Sequence, residues 1–349
     1  MNLDDHMIKS CDFSVDLIMV HFSLDVIMYQ SRDRILTELG DQGFSVVEGV
    51  LSEEDCQLYS NEFKDWVNQY KDNNKTFGSF ESLVQSYRIG HFNASWAVRL
   101  KVKHVFTELW GTEKLLSSVD GVAVSPPPEM MPDRPKFRTK KTFLHLDQGA
   151  KRQGLHAYQS GVYLEESSSS DHCFRVLKGS HKLIKEFYDN FSLAARQSSS
   201  FEYYELAKEE IDWYKDHGCP ETTVPVPRGG MVLWDSRLVH DNARPVEGRP
   251  HSDRWRHVIF VCMTPAKWAK QSDIKIKREA YEHLLMTTHW PSQGVSTFPE
   301  YHPTGREDIK ELKELPEIAK QKEVRLLMGV EEYDFNDGAP NGPKEPVWI

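Results

Sequence analysis

Two short stretches carry the residues best suited to chemistry: Thr142-Phe143-Leu144-His145-Leu146-Asp147-Gln148-Gly149 and, well downstream, Leu238-Val239-His240-Asp241-Asn242. On a β-strand, side chains two apart share a face, so His145 and Asp147 can aim an imidazole nitrogen and a carboxylate oxygen at one point. His240 supplies a third donor from a distance. Two histidines and one carboxylate leave three octahedral positions open, the donor set of non-haem Fe(II) oxygenases. In a chain with 15 histidines an isolated His-x-Asp is common, and a strand histidine more often completes a core hydrogen bond. Context strengthens the pattern: a strand-like run precedes it, Gly149 follows it, and His240 stands beyond the apolar strand Met231-Val232-Leu233-Trp234.

Such donors need rigid elements behind them. A chain of 349 residues is long enough for one large domain or two ordinary ones, and 43 basic against 53 acidic residues give a net charge of −10. No Lys/Arg-rich patch could track a phosphate backbone, so nucleic acid is not an expected partner. Cys11, Cys56, Cys173, Cys219 and Cys262 lack zinc-type or disulfide-framework spacing. The apolar run Phe13–Tyr29 is broken by Asp16, His21 and Asp25, which suits neither a signal sequence nor a membrane span.

Periodicity predicts a helix at Arg32–Leu39, a strand at Gly43–Gly49, a helix capped by Ser52 and running through Tyr70, a polar loop at Lys71–Lys75, and a helix from Trp96 to Trp110 closed by Gly111. A further short helix is expected from Glu113 to Leu116. Short β-rich runs follow at Gly121–Val124, Thr142–Asp147, Ser160–Glu165, Cys173–Leu177, Gly230–Asp235 and Trp255–Met263, separated by Gly and Pro turns. Many short strands punctuated in this way suggest a sandwich or jelly roll. Leu183–Trp213 reads as a helical insertion broken at Ser198-Ser199-Ser200, the chain is helical again from Pro265 to Leu285, and the Gly338–Pro346 tail is expected to be loosely held.

His145-Leu146-Asp147-Gln148, Phe174-Arg175-Val176-Leu177-Lys178-Gly179-Ser180-His181-Lys182, and the run from Pro227-Arg228-Gly229-Gly230 through Trp234-Asp235 to His240 resemble, in order and spacing, the phytanoyl-CoA dioxygenase family of Fe(II)/2-oxoglutarate oxygenases. The similarity extends from about Ile35 to Ala266, with a looser echo at Met286-Thr287-Thr288-His289-Trp290-Pro291. It implies a mainly β fold with flanking helices: a double-stranded β-helix (jelly roll, cupin-like) core, N-terminal helices, a helical insertion and a C-terminal helical extension. The corresponding boundaries are an N-terminal extension at 1–30, an oxygenase domain at 31–266 with its insertion at about 183–217, and an extension at 267–349 packed on the same domain.

The resemblance makes His145, Asp147 and His240 the iron ligands and catalytic centre. It calls for an Arg that grips the distal carboxylate of 2-oxoglutarate, and Arg254 and Arg256 share strand parity. Alignment against Val258-Ile259-Phe260-Val261 favours Arg256. Asn242, Gln159 and Tyr163 are further candidates beside the co-substrate, and His181 is structural. His156, His172, His251 and His257 also lie near the motifs. Asp171-His172-Cys173-Phe174 lacks the glycine usual in that turn. Related halogenases replace the carboxylate, so retention of Asp147 points to hydroxylation of a small organic substrate, with succinate and CO2 released. Fe(II), 2-oxoglutarate and O2 are the implied cofactor and co-substrates, with ascorbate as a stimulant. Leu183–Trp213 and Pro126–Lys140 are the expected cover of the site. The expected assembly is a monomer or homodimer with no membrane partner, in the cytoplasm, with the peroxisome left open. The alternative is a non-catalytic cupin-like metal binder, or a degenerate relative acting as a binding module.

Overall fold

The computed structural model describes residues 32–69, 82–130, 142–299, 309 and 311–349. Phe13–Tyr29, Lys71–Lys75 and the larger part of Pro126–Lys140 lie outside them. In chain order the elements are α1 (residues 32–42), β1 (Phe44–Val47), α2 (Glu53–Asn68), β2 (Leu83–Val84), α3 (Asn93–Trp110), β3 (Leu115–Ser117), β4 (Val122–Ser125), β5 (His145–Leu146), β6 (Arg152–Gln153), β7 (Tyr158–Tyr163) and β8 (Cys173–Leu177). There follow α4 (Ile184–Asn190), α5 (Ser192–Phe201), β9 (Tyr204–Glu205), α6 (Lys208–Asp216), β10 (Glu221–Val224), β11 (Met231–Asp235), β12 (His240–Ala243), β13 (Arg256–Pro265), α7 (Gln271–Glu282), α8 (Lys322–Leu327) and β14 (Val347–Trp348).

Two antiparallel sheets make the jelly roll, and β6 and β14 form a separate two-stranded one. The larger runs β1-β11-β7-β13-β4-β2 with β3 also on β13, and the smaller runs β10-β8-β12-β5-β9. Strand β13 shows why the layers assemble. Its alternate residues Ile259, Val261 and Met263 join the core beneath α2 and α3, with Phe63, Trp66, Val98 and Phe106. Val258 and Phe260 point the other way, into the cluster between the sheets with Phe174, Val232 and Trp234. A strand apolar on both faces belongs inside a layered structure. Ser52 caps α2 through a reciprocal box with Asp55, and Gly111 ends α3 in the left-handed conformation that glycine tolerates. A third cluster, built around Phe187, Tyr204, Ile211 and Tyr214, holds α4 to α6 together. Among the described residues no helix is long and apolar enough to cross a membrane.

Several expectations are corrected. The segment expected as a helix at Glu113–Leu116 contributes β3, in which Leu115, Leu116 and Ser117 pair with Pro265, Thr264 and Met263. Four residues cannot pay for helix nucleation, and the edge of β13 offers them partners. Ser198-Ser199-Ser200 do not break the insertion but lie within α5, their hydroxyls bonding back to carbonyls one turn earlier; the helix ends at Glu202, at φ 53°. The Gly338–Pro346 tail is tied down: Thr112 donates to Pro340 O at 2.7 Å, Lys114 reaches Asp337 and Asn341 at 2.6 and 2.9 Å, and Trp268 donates to Pro343 O at 2.9 Å. Beyond it, β14 pairs with β6.

Candidate active site

The chemistry-bearing residues converge on a cavity of about 620 Å3. His145 and His240 are direct cross-strand partners on β5 and β12, which sets their rings side by side with centroids 4.4 Å apart. Thus His240 does not end the apolar strand Met231–Trp234; it opens a strand of the other sheet. Asp147 is likewise off the strand, in the bend that follows β5. Its Oδ1 is 3.5 Å from His145 Nε2 and its Oδ2 is 3.5 Å from His240 Nε2. One donor atom from each of the three lies within 4.8 Å of the others, so a single ion could bind all of them.

The supporting contacts fix which nitrogens face inward. Nδ1 of His145 lies 3.0 Å from Phe143 O, and Nδ1 of His240 lies 2.9 Å from Leu238 O. An N–H donated to each carbonyl leaves the Nε2 lone pair for a metal. Asp241, on the opposite face of β12, accepts from Arg175 Nε and Nη2 at 2.7 and 2.5 Å, from Thr142 Oγ1 at 3.0 Å and from the Phe143 N–H at 3.1 Å. This fully buried carboxylate ties β8, β12 and the approach to β5 into one unit. Gly149 is needed for close approach: a Cβ there would stand 2.5 Å from Ser198 O of α5.

Aromatic rings keep the centre dry. Phe143 stacks on His145 at 5.5 Å, while Trp234 and Phe174 pack on His240 at 5.1 and 5.7 Å. Burial, aided by the His145 imidazole, pushes the His240 pKa down to about 4, and the neutral ring is the ligating form. Burial would raise Asp147, but the imidazoles of His289, His145 and His240, together with the Gln159 carboxamide, bring it down to about 2.

Arg256 begins β13 and lines the same cavity. Its Nη1 donates to Ser82 Oγ at 2.6 Å, its Nε is buried without a partner, and no carboxylate pairs with it among the described residues. The residues therefore fit both missing groups: a facial N,N,O set suits iron, and a cavity-lining guanidinium with free donors suits a dicarboxylate. Arg254 does not share the strand. It precedes β13 and is spent on Asp171 and Glu166 at 2.7 and 3.0 Å. Asn242 and Gln159 line the cavity, whereas Tyr163, four residues along β7 from Gln159, lies beyond its lining against Val258. His181 bonds to Gly40 O at 3.2 Å, and His156 to Gln293 and Val347. His172 borders the cavity; His257 is buried elsewhere.

Part of the expected cover is present. Ser200 to Tyr203, at the end of α5, line the cavity, with Phe201 78% exposed at its mouth. The wall there is fastened by Arg152, whose guanidinium lies 3.8 Å from the Trp290 ring and 4.1 Å from the Trp348 ring, pairs with Glu202, and donates to Gln293 O at 3.1 Å. Sequence reasoning misses Asp120, His289 and this clamp. His289 stands in the Met286–Pro291 echo; nothing local marks the other two.

Comparison with known proteins gives one family: the model described as "Phytanoyl-CoA dioxygenase (PhyH)" matches residues 39–257. The "Ava biosynthesis cluster protein O" of Aspergillus versicolor is 25% identical over 278 residues, 74% of this chain and 86% of that protein. The crystal structure of EvdMO1 aligns with TM-score 0.43 and 12% identity over 66% of this chain and 49% of that one, so this chain spans about half of its length. The epimerase SnoN, solved with Fe3+, alpha ketoglutarate and nogalamycin RO, aligns with TM-score 0.44 and 17% identity over 68% of this chain and 84% of that one.

Proposed function

Since this chain belongs to the phytanoyl-CoA dioxygenase family, we propose that it is an Fe(II)- and 2-oxoglutarate-dependent oxygenase that hydroxylates a small organic substrate. The observation that carries the reading is Arg256, with no carboxylate partner among the described residues and lining the cavity that holds His145, Asp147 and His240. His145 and His240 through Nε2 and Asp147 through one carboxylate oxygen would hold the metal. Arg256, with Ser82 holding its Nη1, would pair with the distal carboxylate of 2-oxoglutarate. Iron with 2-oxoglutarate and O2 supplies the oxidising power, the co-substrate leaving as succinate and CO2.

The protein's own work is positioning and exclusion. Gln159 and Asn242 border the centre, and the rings of Phe143, Phe174 and Trp234 keep bulk water from the open face. Phe260, Trp290 and Phe298 extend the apolar lining, which suits a substrate with a hydrophobic body. Asp147 occupies the position that a halide-binding site would need empty, which supports hydroxylation.

The test is anaerobic addition of Fe(II) and 2-oxoglutarate. A visible charge-transfer band that needs both, followed by succinate on exposure to O2, is the expected result. Neither band nor succinate would leave a metal-binding module as the reading.

A further inference from the structure

Two polar groups in the cavity wall are left over by the oxygenase reading. Asp120 stands just before β4; its Oδ1 accepts the Gly121 N–H at 2.6 Å, while Oδ2 meets no donor among the described residues. His289 lines the same cavity, with Nε2 buried and unpartnered and Nδ1 reached by no hydrogen bond among the described residues. Unmade hydrogen bonds in an apolar wall are costly, about 1–3 kcal/mol for each buried group. Leu83, Phe260 and Phe298, in the same wall, carry no polar side-chain atom.

Strand register sets the pair apart from the co-substrate residue. Ser125 lies opposite Arg256, whereas Gly121 O accepts the Phe260 N–H at 3.3 Å. Asp120 is therefore about 13–17 Å along the sheet from the Arg256 backbone. It is at the level of Gln159, which pairs with Cys262 and borders Asp147. A molecule held at Asp120 and His289 would lie beside the triad without competing for Arg256.

Charge decides the kind of group held. Arg99, fully buried, donates Nη2 to the Asp120 carbonyl oxygen at 3.3 Å and lies close enough to offset its carboxylate. A second cation is not called for. We propose that Asp120 and His289 determine substrate specificity by accepting a neutral N–H or O–H donor on an otherwise apolar, ring-bearing molecule. Oxidation of that molecule rests on the function proposed above; its binding does not.

The probe pair is 2-naphthol and 2-methoxynaphthalene, identical in ring body and differing in the donor. Affinities are measured by calorimetry on protein loaded anaerobically with Fe(II) and 2-oxoglutarate, and again without them. 2-Naphthol should bind about fivefold tighter or more, the worth of one neutral hydrogen bond. Asp120→Asn, which keeps the bond from Gly121 and turns an amide donor toward the cavity, should abolish or reverse the preference. His289→Phe, which keeps the ring against Trp290, should reduce it below twofold while leaving 2-methoxynaphthalene unchanged. Equal binding, no binding of either probe, or a wild-type ratio in both variants would overturn the proposal. Loss of the iron–co-substrate complex with the preference intact would instead count against the oxygenase reading alone.

Discussion

At the residue scale, the two arginines separate by what already satisfies them. Arg254 is held by Asp171 and Glu166, and Asp171 is shared with Arg249 at 2.7 Å, so its charge is already paired with carboxylates. Among the described residues, Arg256 hydrogen-bonds only to the Ser82 hydroxyl. Two charge-assisted hydrogen bonds are worth about 3 kcal/mol or more together, so Arg256→Ala should weaken 2-oxoglutarate binding roughly 100-fold. Arg254→Ala should leave it within threefold and cost about 1 kcal/mol of stability. Titration of the charge-transfer band reads both; the reverse ranking would reassign the co-substrate site. Alternation alone could not rank them, because it presumed a strand that begins two residues later. The His145 and Asp147 pair was legible for a sturdier reason, since residues only two apart can still reach one point when the strand ends between them.

At the scale of elements, two buried histidines give the fold an acid limit. His91, whose Nε2 bonds to Leu285 O at 2.9 Å, is pushed down to about 4 by burial, and His257, with neither nitrogen partnered, to about 3. Both stay neutral in the fold while the unfolded chain protonates near pH 6.5. Below that pH the unfolded state binds more protons, so stability falls as pH drops from about 6.5 toward 4, by roughly 1.4 kcal/mol for each histidine at pH 5.5. Urea midpoints at pH 7.5 and 5.5 measure this, and His257→Phe should shrink the loss by about 1.4 kcal/mol; an unchanged loss would show that His257 does not contribute to it. The long helices and the apolar strands β8, β11 and β13 were readable because their periodicity runs over enough residues to exceed chance. β6, β9 and β14 are two residues each, held by partners distant in sequence, and leave no local pattern. The serines of α5 misled because propensity favours a break where packing of Ala194 and Ser198 against the core decides otherwise.

At the scale of the whole molecule, the pocket is a joint product of the jelly roll, its insertion and its C-terminal extension. The roll supplies the triad and Arg256, α5 brings Glu202, and the extension brings His289, Trp290 and Trp348. Trp348→Ala removes one face of the Arg152 sandwich, worth about 1 kcal/mol for a half-exposed ring. Hydrogen exchange should rise about fivefold at residues 199–204 and 290–295 while β5 and β12 stay protected. Equal exchange in both regions would show that the tail does not fasten the wall. The same clamp has a consequence in time. Glu202, Trp290 and Trp348 reach Arg152 across loops of increasing length, and longer loops close at greater entropic cost. On loop entropy alone, the paired histidines are expected to meet before the last ring arrives. Iron captured in that interval would meet bulk water, so the architecture favours metal loading after the tail has docked.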